Sequence, residues 1–370
     1  MRFRLPRLSD ADRLFRRRRL ERTLTRSLPR LPESPVRVRV IGAPLDGERV
    51  HRFRMSKEGL HVQVEFDFRR ILPDQHMFQV YRQRAGLLID LFARTAPGVT
   101  EARAEISDGS ESGDGWISFS SPHPGSILIP DCDFTHSLGY ASMRRLALGP
   151  GPAWQDRAAG FCWRGSTTGL GLVSTEGMDP DDPSLIQRTR FCLQARKVPD
   201  ADCKLTRVVQ SRDSRDRHRL ARAGILGDPI DPETWRARKF ALDIDGNSNA
   251  WSNLFTRLLL GCCVIKVGSP RGFRQWYYQD LKPYEHFVPA RTNLSDLGEQ
   301  LEWCRTHDRE CRAIAAAGQA LAMRLTLEGE RAAAVERINL AFGADGANPG
   351  PLTAPAGTPR DPPRPAGSGT

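Results

Sequence analysis

Apolar and polar positions alternate along this chain in short blocks that predict strands and helices in turn. Stretches 36–41 and 60–68 alternate residue by residue, as strands do, and Gly59 marks the turn before the second. Residues 75–96 follow a helical pattern that Pro97 ends. Three shorter strands are predicted further along, at 103–107, 116–119 and 126–130.

The second half of the chain repeats this alternation. A strand at 160–163 runs into the polar loop 164–169, and a helix is predicted around 184–195. The stretch 240–267 then reads as strand, polar turn, apolar helix and strand, which is the layout of a βαβ unit. A long helical region follows from about 294 to 340. Strands that alternate with helices in both halves predict an α/β fold of two domains with a cleft between them.

Length supports this division, because 370 residues suit two domains of about 150 residues each. The Gly- and Pro-rich stretch 148–152 is the predicted break. We therefore expect a basic segment at 1–34, an N-terminal domain at 35–155 and a C-terminal domain at 156–343 that includes the long helix. Residues 344–370, rich in Pro, Gly and Ala, are predicted to form a disordered tail.

Several features of the chain indicate a cytoplasmic protein. The sequence holds no run of about 18 apolar residues that could span a membrane. Arginines occupy the N-terminus, where a secretory signal would be apolar. The eight cysteines are scattered without the spacing of a zinc site, so we expect reduced, structural thiols.

Positive charge is concentrated at the N-terminus. The net charge is +11, and residues 1–30 hold eleven arginines against three acidic residues, so the remainder is nearly balanced. Leucines and a phenylalanine interleave with these arginines, at positions 14, 15, 20, 24 and 28. A basic amphipathic helix on an anionic membrane surface, a nucleic-acid arm and a solvated, partly disordered tail are three open interpretations. The globular part is not expected to bind nucleic acid.

Four blocks carry a resemblance to a known family. They are Trp-Arg-Gly-Ser-Thr-Thr-Gly at 163–169, Gln187-Arg188 with Arg196, the segment 243–252, and the segment 276–289 with Asp296-Leu297. In this order they resemble family 90 of the glycosyltransferases. That family contains protein O-glucosyl- and O-xylosyltransferases, fungal capsule-associated proteins and bacterial lipopolysaccharide-modifying transferases. The similarity spans roughly residues 100–325.

The resemblance implies a fold and a reaction. The fold would be GT-B-like, with two Rossmann-like domains facing across a cleft, the first on the acceptor side and the second binding a UDP-sugar. The transfer would invert the anomeric carbon and need no metal or other cofactor, with glucose or xylose as the sugar. Such a displacement needs a base for the acceptor hydroxyl and positive groups for the departing diphosphate. Without a metal, arginines, hydroxyls and helix N-termini must supply that charge.

Matching positions then name candidate residues. The expected donor contacts are Arg164, Gly165, Ser166, Thr167, Thr168, Arg188, Asp245, Gly246, Ser252 and Arg257. For any one arginine, a surface ion pair is the alternative interpretation. The expected base is Asp108, which follows a short strand, with Asp131 and Asp133 as alternatives. Asp243 and Asp245 could instead form a metal-binding DxD or border the cleft, and the resemblance favours the metal-free interpretation.

Two departures from the family bear on the acceptor. Thr189 follows Arg188, where eukaryotic members often carry an acidic residue, and the chain shows no signal peptide or ER-retention signal. A cell-surface glycan or lipid-linked saccharide, reached from the cytoplasm or the inner membrane face, is therefore the expected acceptor. The protein would then act in lipopolysaccharide or polysaccharide biosynthesis. An inactive sugar-binding relative and a membrane-surface adaptor acting through residues 1–30 are the alternative functions.

Overall fold

A computed structural model describes residues 9–27, 37–42, 51–66 and 75–343. The strands in these residues are β1 (Arg37–Gly42), β2 (Arg52–Glu58), β3 (His61–Phe66), β4 (Glu101–Glu105), β5 (Ile117–Ser118), β6 (Ile127–Leu128), β7 (Ala158–Ser166), β8 (Ala201–Arg207), β9 (Arg238–Asp243), β10 (Cys263–Val267) and β11 (Val288–Ala290). The helices are α1 (Asp10–Ser27), α2 (Gln75–Ala93), α3 (Cys132–His136), α4 (Ala141–Leu148), α5 (Gln187–Ala195), α6 (Asp216–Arg222), α7 (Ser252–Leu259), α8 (Leu297–Thr306), α9 (Asp308–Arg324) and α10 (Leu327–Phe342). The predicted disordered tail, residues 344–370, lies outside the described residues.

The first sheet has the strand order β1-β3-β2-β4-β5-β6. β1 runs parallel to β3, and β4, β5 and β6 run parallel to one another. β2, which the sequence pattern did not predict, is antiparallel to both β3 and β4. Gly59 lies in the turn between β2 and β3 with a φ of 55°, a left-handed conformation that glycine adopts without steric cost. This tight turn returns β3 beside β2, so the N-terminal sheet is mixed where a Rossmann-like domain would be fully parallel.

Helices from both ends of the chain complete the N-terminal core. Leu20 and Leu24 of α1 are buried in it, and so are Ala334 and Ile338 of α10. The helix predicted from the arginine-rich pattern is thus present as α1. The last helix was expected in the C-terminal domain, whereas α10 packs its buried residues against the N-terminal sheet. Helical periodicity shows which residues are buried but not which sheet covers them.

The second sheet is fully parallel, with the order β11-β10-β9-β7-β8. Side chains of successive residues point to opposite faces, so Phe240 and Leu242 belong to one core and Ala241 to the other. α5, α6 and α8 cover the first face, α7 covers the second, and α9 contributes to both. Because β7 and β9 are neighbours, the order of the strands reverses between them. This is the position at which open parallel sheets form a ligand crevice.

Polar contacts join the two domains. Gln275 Nε2 donates to Asp131 Oδ2 at 2.7 Å, and Ser248 Oγ donates to the Asp108 carbonyl at 2.6 Å. The backbones of Ser121 and Arg274 also exchange hydrogen bonds. The α/β class and the two-domain architecture expected from the sequence are confirmed.

The structure also bears on the cysteines and on membrane spanning. All eight cysteines are free thiols, as expected, and all except Cys132 are buried. Within the described part of the chain, no helix combines the length and apolar character needed to cross a membrane.

Candidate functional site

A pocket of ≈ 780 Å³ lies at the carboxyl edge of the second sheet. Its walls are the segments that follow four parallel strands, together with Gln187 and Arg190 of α5. These segments contain residues 168–170 after β7, 245–248 after β9, 268–271 after β10, and 290–293 from the last residue of β11 onward. The volume falls in the range of small-molecule sites, and the position coincides with the reversal of strand order.

Arg188 lies beneath this pocket and holds two of its walls together. Its Nε and Nη2 donate to the carbonyls of Asp245 and Ile244, both at 3.0 Å. Its Nη1 donates to the Ser166 carbonyl at 3.1 Å and to Thr168 Oγ1 at 2.7 Å. Burial lowers the pKa of Arg188, although nearby carboxylates oppose that change. Arg188 therefore ties the ends of β7 and β9 to each other.

Gly246 completes the contact between the two walls. A Cβ at this position would clash with Thr168 Oγ1 and lie 3.2 Å from the Arg188 guanidinium. Of the donor contacts expected from the sequence, Thr168, Asp245 and Gly246 line the pocket. Ser166 contributes its carbonyl to Arg188 from behind the wall.

A buried cluster of charges forms the floor. Lys266 Nζ lies 2.9 Å from Asp243 Oδ2 and 3.5 Å from Asp245 Oδ1. The strand register pairs Lys266 directly with Asp243, which brings the groups together. Burial lowers the pKa of Lys266, but the two aspartates outweigh it and raise that pKa above its ordinary value. Asp245 Oδ2 makes no hydrogen bond of good geometry among the described residues. Burial raises the pKa of Asp245, although the Ser269 hydroxyl opposes this, so the pocket offers a buried carboxyl group.

Sequence reasoning missed Lys266, although a signal was present. β10 is otherwise apolar and every residue in it is buried. A lysine in such a strand is rarely buried unless it is paired, and the preceding parallel strand ends in an aspartate. Within the described residues, no group of three or more His, Cys, Asp and Glu side chains is arranged to hold a metal ion.

Three arginines that the sequence did not single out surround the pocket: Arg190, Arg271 and Arg291. Arg190 Nε donates to the Pro180 carbonyl at 3.2 Å, and Arg271 pairs with Glu111 of the N-terminal domain. The Arg291 Nε lies 3.9 Å from an oxygen of Asp296. All three line a pocket whose floor contains Lys266. Arg271 and Arg291 are exposed, and Arg190 is half-buried.

Arg164, Gly165 and Thr167 lie outside the pocket. Arg164 donates to the Asp202 carboxylate and carbonyl, both at 2.6 Å, along the junction of β7 and β8. Gly165 packs against the Trp163 ring, and the buried Thr167 donates to the Val209 carbonyl at 2.5 Å. The strand end was identified from the sequence, but none of these three residues lines the pocket.

Two candidates on α7 also lie outside it. Arg257 is buried with its guanidinium 3.6 Å from the centre of the Trp235 ring, and burial lowers its pKa to about 10. This arginine packs in the core beneath the sheet and does not line the pocket, where a donor contact was expected. Ser252 is the first residue of α7 and does not line the pocket.

The three candidate bases differ in exposure. Asp108 follows β4 with its side chain 54% exposed, and Arg84 Nη2 lies 2.6 Å from its Oδ1. Its carbonyl accepts from Ser248, which lines the pocket. Asp131 is 2% exposed, caps α3 by accepting from the Phe134 N–H, and has a pKa that burial raises to about 7. Asp133 lies in the first turn of α3.

Comparison with known proteins identifies the domain that contains the pocket. The family model described as Glycosyl transferase family 90 matches residues 150–332. This region is a glycosyl transferase family 90 domain. It contains every residue that lines the pocket, whereas Asp108 and Arg84 lie before it. The resemblance found in the sequence blocks is thereby confirmed.

Individual relatives share this domain. Uncharacterized protein 027R of Frog virus 3 (isolate Goorha) is 34% identical over 190 residues, covering 47% of this chain and 19% of that protein. Protein O-glucosyltransferase 3 of Homo sapiens is 25% identical over 203 residues, covering 53% of this chain and 35% of that protein. This chain thus spans a minor part of each relative. Among solved structures, Anabaena Alr3699/HepE in complex with UDP-glucose aligns at 10% identity and a TM-score of 0.33, covering 70% of this chain and 62% of that one.

Proposed function

We propose that this protein is a glycosyltransferase that moves a sugar from a UDP-sugar to an acceptor hydroxyl. The pocket at the strand reversal of the family 90 domain carries the proposal, because it combines a buried acceptor, Asp245, with three surrounding arginines. A diphosphate needs such cations, and a sugar hydroxyl or uracil N–H can donate to a buried carboxylate. Glucose is the first sugar to test, since relatives are protein O-glucosyltransferases, and xylose is the second.

The geometry supports Asp108 as the base of an inverting transfer. The acceptor oxygen would attack the anomeric carbon, the bond from that carbon to UDP would break, and the hydroxyl proton would pass to Asp108. Arg84 holds one carboxylate oxygen of Asp108, and the exposed carboxylate can meet an acceptor at the domain junction. Asp131 suits this role less well, because the Phe134 N–H and the Gln275 amide occupy its two oxygens.

Arginines would stabilise the departing UDP. Arg190, Arg271 and Arg291 border the pocket and replace Arg164 and Arg257 in this role. The proposal includes metal independence, and the Lys266 ammonium supports it. That group lies between Asp243 and Asp245, where a divalent cation on a DxD would otherwise bind. Charge on the diphosphate would then be balanced by side chains alone.

The proposed acceptor is a cell-surface glycan or lipid-linked saccharide at the inner face of a membrane. The concentration of arginines in residues 1–30 supports this location, because an anionic surface would attract them. Lipopolysaccharide is one acceptor of this kind.

Release of UDP by the full chain tests the proposal. UDP-glucose and UDP-xylose are supplied with lipid-linked and free saccharide acceptors, with and without EDTA. Wild-type protein should release UDP with at least one donor, and EDTA should change nothing. Asp108→Asn should lower turnover by about 100-fold or more while calorimetry shows unchanged UDP binding, and Asp131→Asn is the matched control that keeps turnover.

Other outcomes separate the alternatives. UDP binding without turnover for every donor and acceptor would favour an inactive sugar-binding relative. Full turnover in Asp108→Asn would remove Asp108 as the base. Loss of turnover in EDTA, restored by Mn²⁺, would overturn metal independence.

A further inference from the structure

The helix α1 is attached to the N-terminal domain by one face. Leu20 and Leu24 are both 0% exposed and belong to the N-terminal core. Glu21 Oε1 accepts the Val40 N–H of β1 at 2.9 Å and lies 3.3 Å from Arg17 Nε. These contacts anchor the helix to the edge of the first sheet, where β1 is the outermost strand. Its orientation on the domain is therefore set.

The opposite face exposes apolar and cationic side chains together. Leu14 is 47% exposed and Phe15 is 67% exposed. Arg18, Arg19 and Arg22 are also exposed, at three, four and seven residues from Phe15. Residues with this spacing lie on one side of a helix. We call Leu14, Phe15, Arg18, Arg19 and Arg22 the outer face of α1.

We propose that the outer face of α1 binds the surface of an anionic lipid bilayer. Charge complementarity carries the proposal, because residues 1–30 hold eleven arginines against three acidic residues, and Glu21 is directed inward to β1. Arginines at such a surface bind lipid headgroups, while adjacent apolar side chains enter the boundary with the acyl chains. Leu14 and Phe15 stand beside Arg18 and Arg19 in the required arrangement.

Exposed apolar side chains favour lipid over nucleic acid as the partner. Contacts with the phosphate backbone of a nucleic acid need cations and polar groups. They would leave the exposed Leu14 and Phe15 side chains without an apolar contact. The inference does not depend on the transferase activity, because α1 lies before the family 90 domain at 150–332. It would bring the N-terminal domain, which carries Asp108, to the membrane.

Sedimentation of the full chain with lipid vesicles tests this inference. Vesicles of phosphatidylcholine alone are compared with vesicles in which half is phosphatidylglycerol. Wild-type protein should sediment only with the anionic vesicles. Arg18→Glu with Arg22→Glu should lower the vesicle affinity by about tenfold or more, because two cations near the surface are reversed. Arg212→Glu with Arg217→Glu changes the charge equally at exposed positions of the other domain and should leave binding nearly intact.

A second pair of substitutions separates lipid from nucleic acid. Leu14→Ser with Phe15→Ser keeps every charge and should still lower vesicle affinity several-fold, as expected if these side chains enter the bilayer. Unchanged vesicle binding in this variant, combined with tight RNA binding by the wild type, would overturn the proposal in favour of nucleic acid. Absence of wild-type sedimentation would overturn it as well. UDP release in solution, measured on the same proteins, reports separately on the proposed transferase.

Discussion

Lys266 Nζ lies 2.9 Å from Asp243 Oδ2, with both groups buried on neighbouring parallel strands. Asp245, two residues beyond Asp243, faces the same ammonium at 3.5 Å. A DxD sequence that could bind a divalent cation therefore surrounds a cation supplied by the protein. The next strand determines the chemistry of this motif, since the two aspartates alone suit either partner.

Replacing Lys266 should lower the stability of the protein, because the buried carboxylates of Asp243 and Asp245 would lose their cationic partner. Lys266→Met should lower the free energy of unfolding by about 3–5 kcal/mol, because it leaves buried charges without a partner. Lys239→Met is the matched control, since its partner Asp308 is 52% exposed, and it should cost less than about 1 kcal/mol. Urea denaturation of both variants measures the difference. Equal losses would show that the Lys266 pair is no more desolvated than the surface pair.

Arg188→Lys should weaken UDP binding although Arg188 does not line the pocket. A lysine cannot reproduce the planar fork that reaches Asp245, Ile244, Ser166 and Thr168. Each carbonyl left without a donor costs about 1–3 kcal/mol, so the two walls should separate and UDP affinity should fall by about tenfold or more. Calorimetric titration with UDP measures this.

Arg164→Lys is the control for that experiment, because Arg164 is engaged with Asp202 outside the pocket. UDP affinity should stay near the wild-type value. A drop as large as that of Arg188→Lys would instead restore Arg164 to the donor site, as the sequence suggested.

Gly246→Ala should disrupt the same wall by steric clash. The new Cβ would collide with Thr168 Oγ1 and crowd the Arg188 guanidinium, in a region where both neighbours are already hydrogen-bonded. Destabilisation of about 1–3 kcal/mol is expected, with reduced UDP affinity. Gly177→Ala introduces its Cβ into open space and should change neither quantity measurably. Thermal unfolding with and without UDP reports both effects, and a wild-type response from Gly246→Ala would contradict the packing described.

Asp131 should make stability depend on pH. Burial raises its folded-state pKa from 3.8 to about 7, so the folded protein retains the proton longer than the unfolded chain. Its contribution to stability is then fully present below about pH 4 and is lost as the pH rises through about 7. The total change is up to about 4 kcal/mol. Urea denaturation across this pH range measures the slope.

Asp131→Asn should remove this slope. The Gln275 Oε1 has no hydrogen-bond partner among the described residues, so a rotated Gln275 amide can accept from the new side chain. Asp133→Asn, two residues further along in the first turn of α3, should keep most of the slope. An unchanged slope in Asp131→Asn would assign the pH dependence to another group.

Much of the fold was predictable because local patterns carry it. β10 reads as a buried strand that is apolar apart from Lys266, and the helix α2 begins at the predicted residue. β2 escaped prediction, since its register and direction follow from pairing with β3 and β4 rather than from its own pattern. The domain to which α10 belongs was likewise decided by packing.

The candidate site was likewise predictable in part. The sequence by itself determined which strand ends carry polar residues. Of the ten donor contacts that the family resemblance implied, Thr168, Asp245 and Gly246 line the pocket at one edge of the parallel sheet. Only the tertiary structure decided which cations lie at that edge. Arg164 and Arg257 are engaged in other contacts, whereas Arg190, Arg271, Arg291 and Lys266 line the pocket from four separate segments. The physical reason is that strand position follows from local periodicity, while the direction and partner of a charged side chain depend on which distant segment packs beside it.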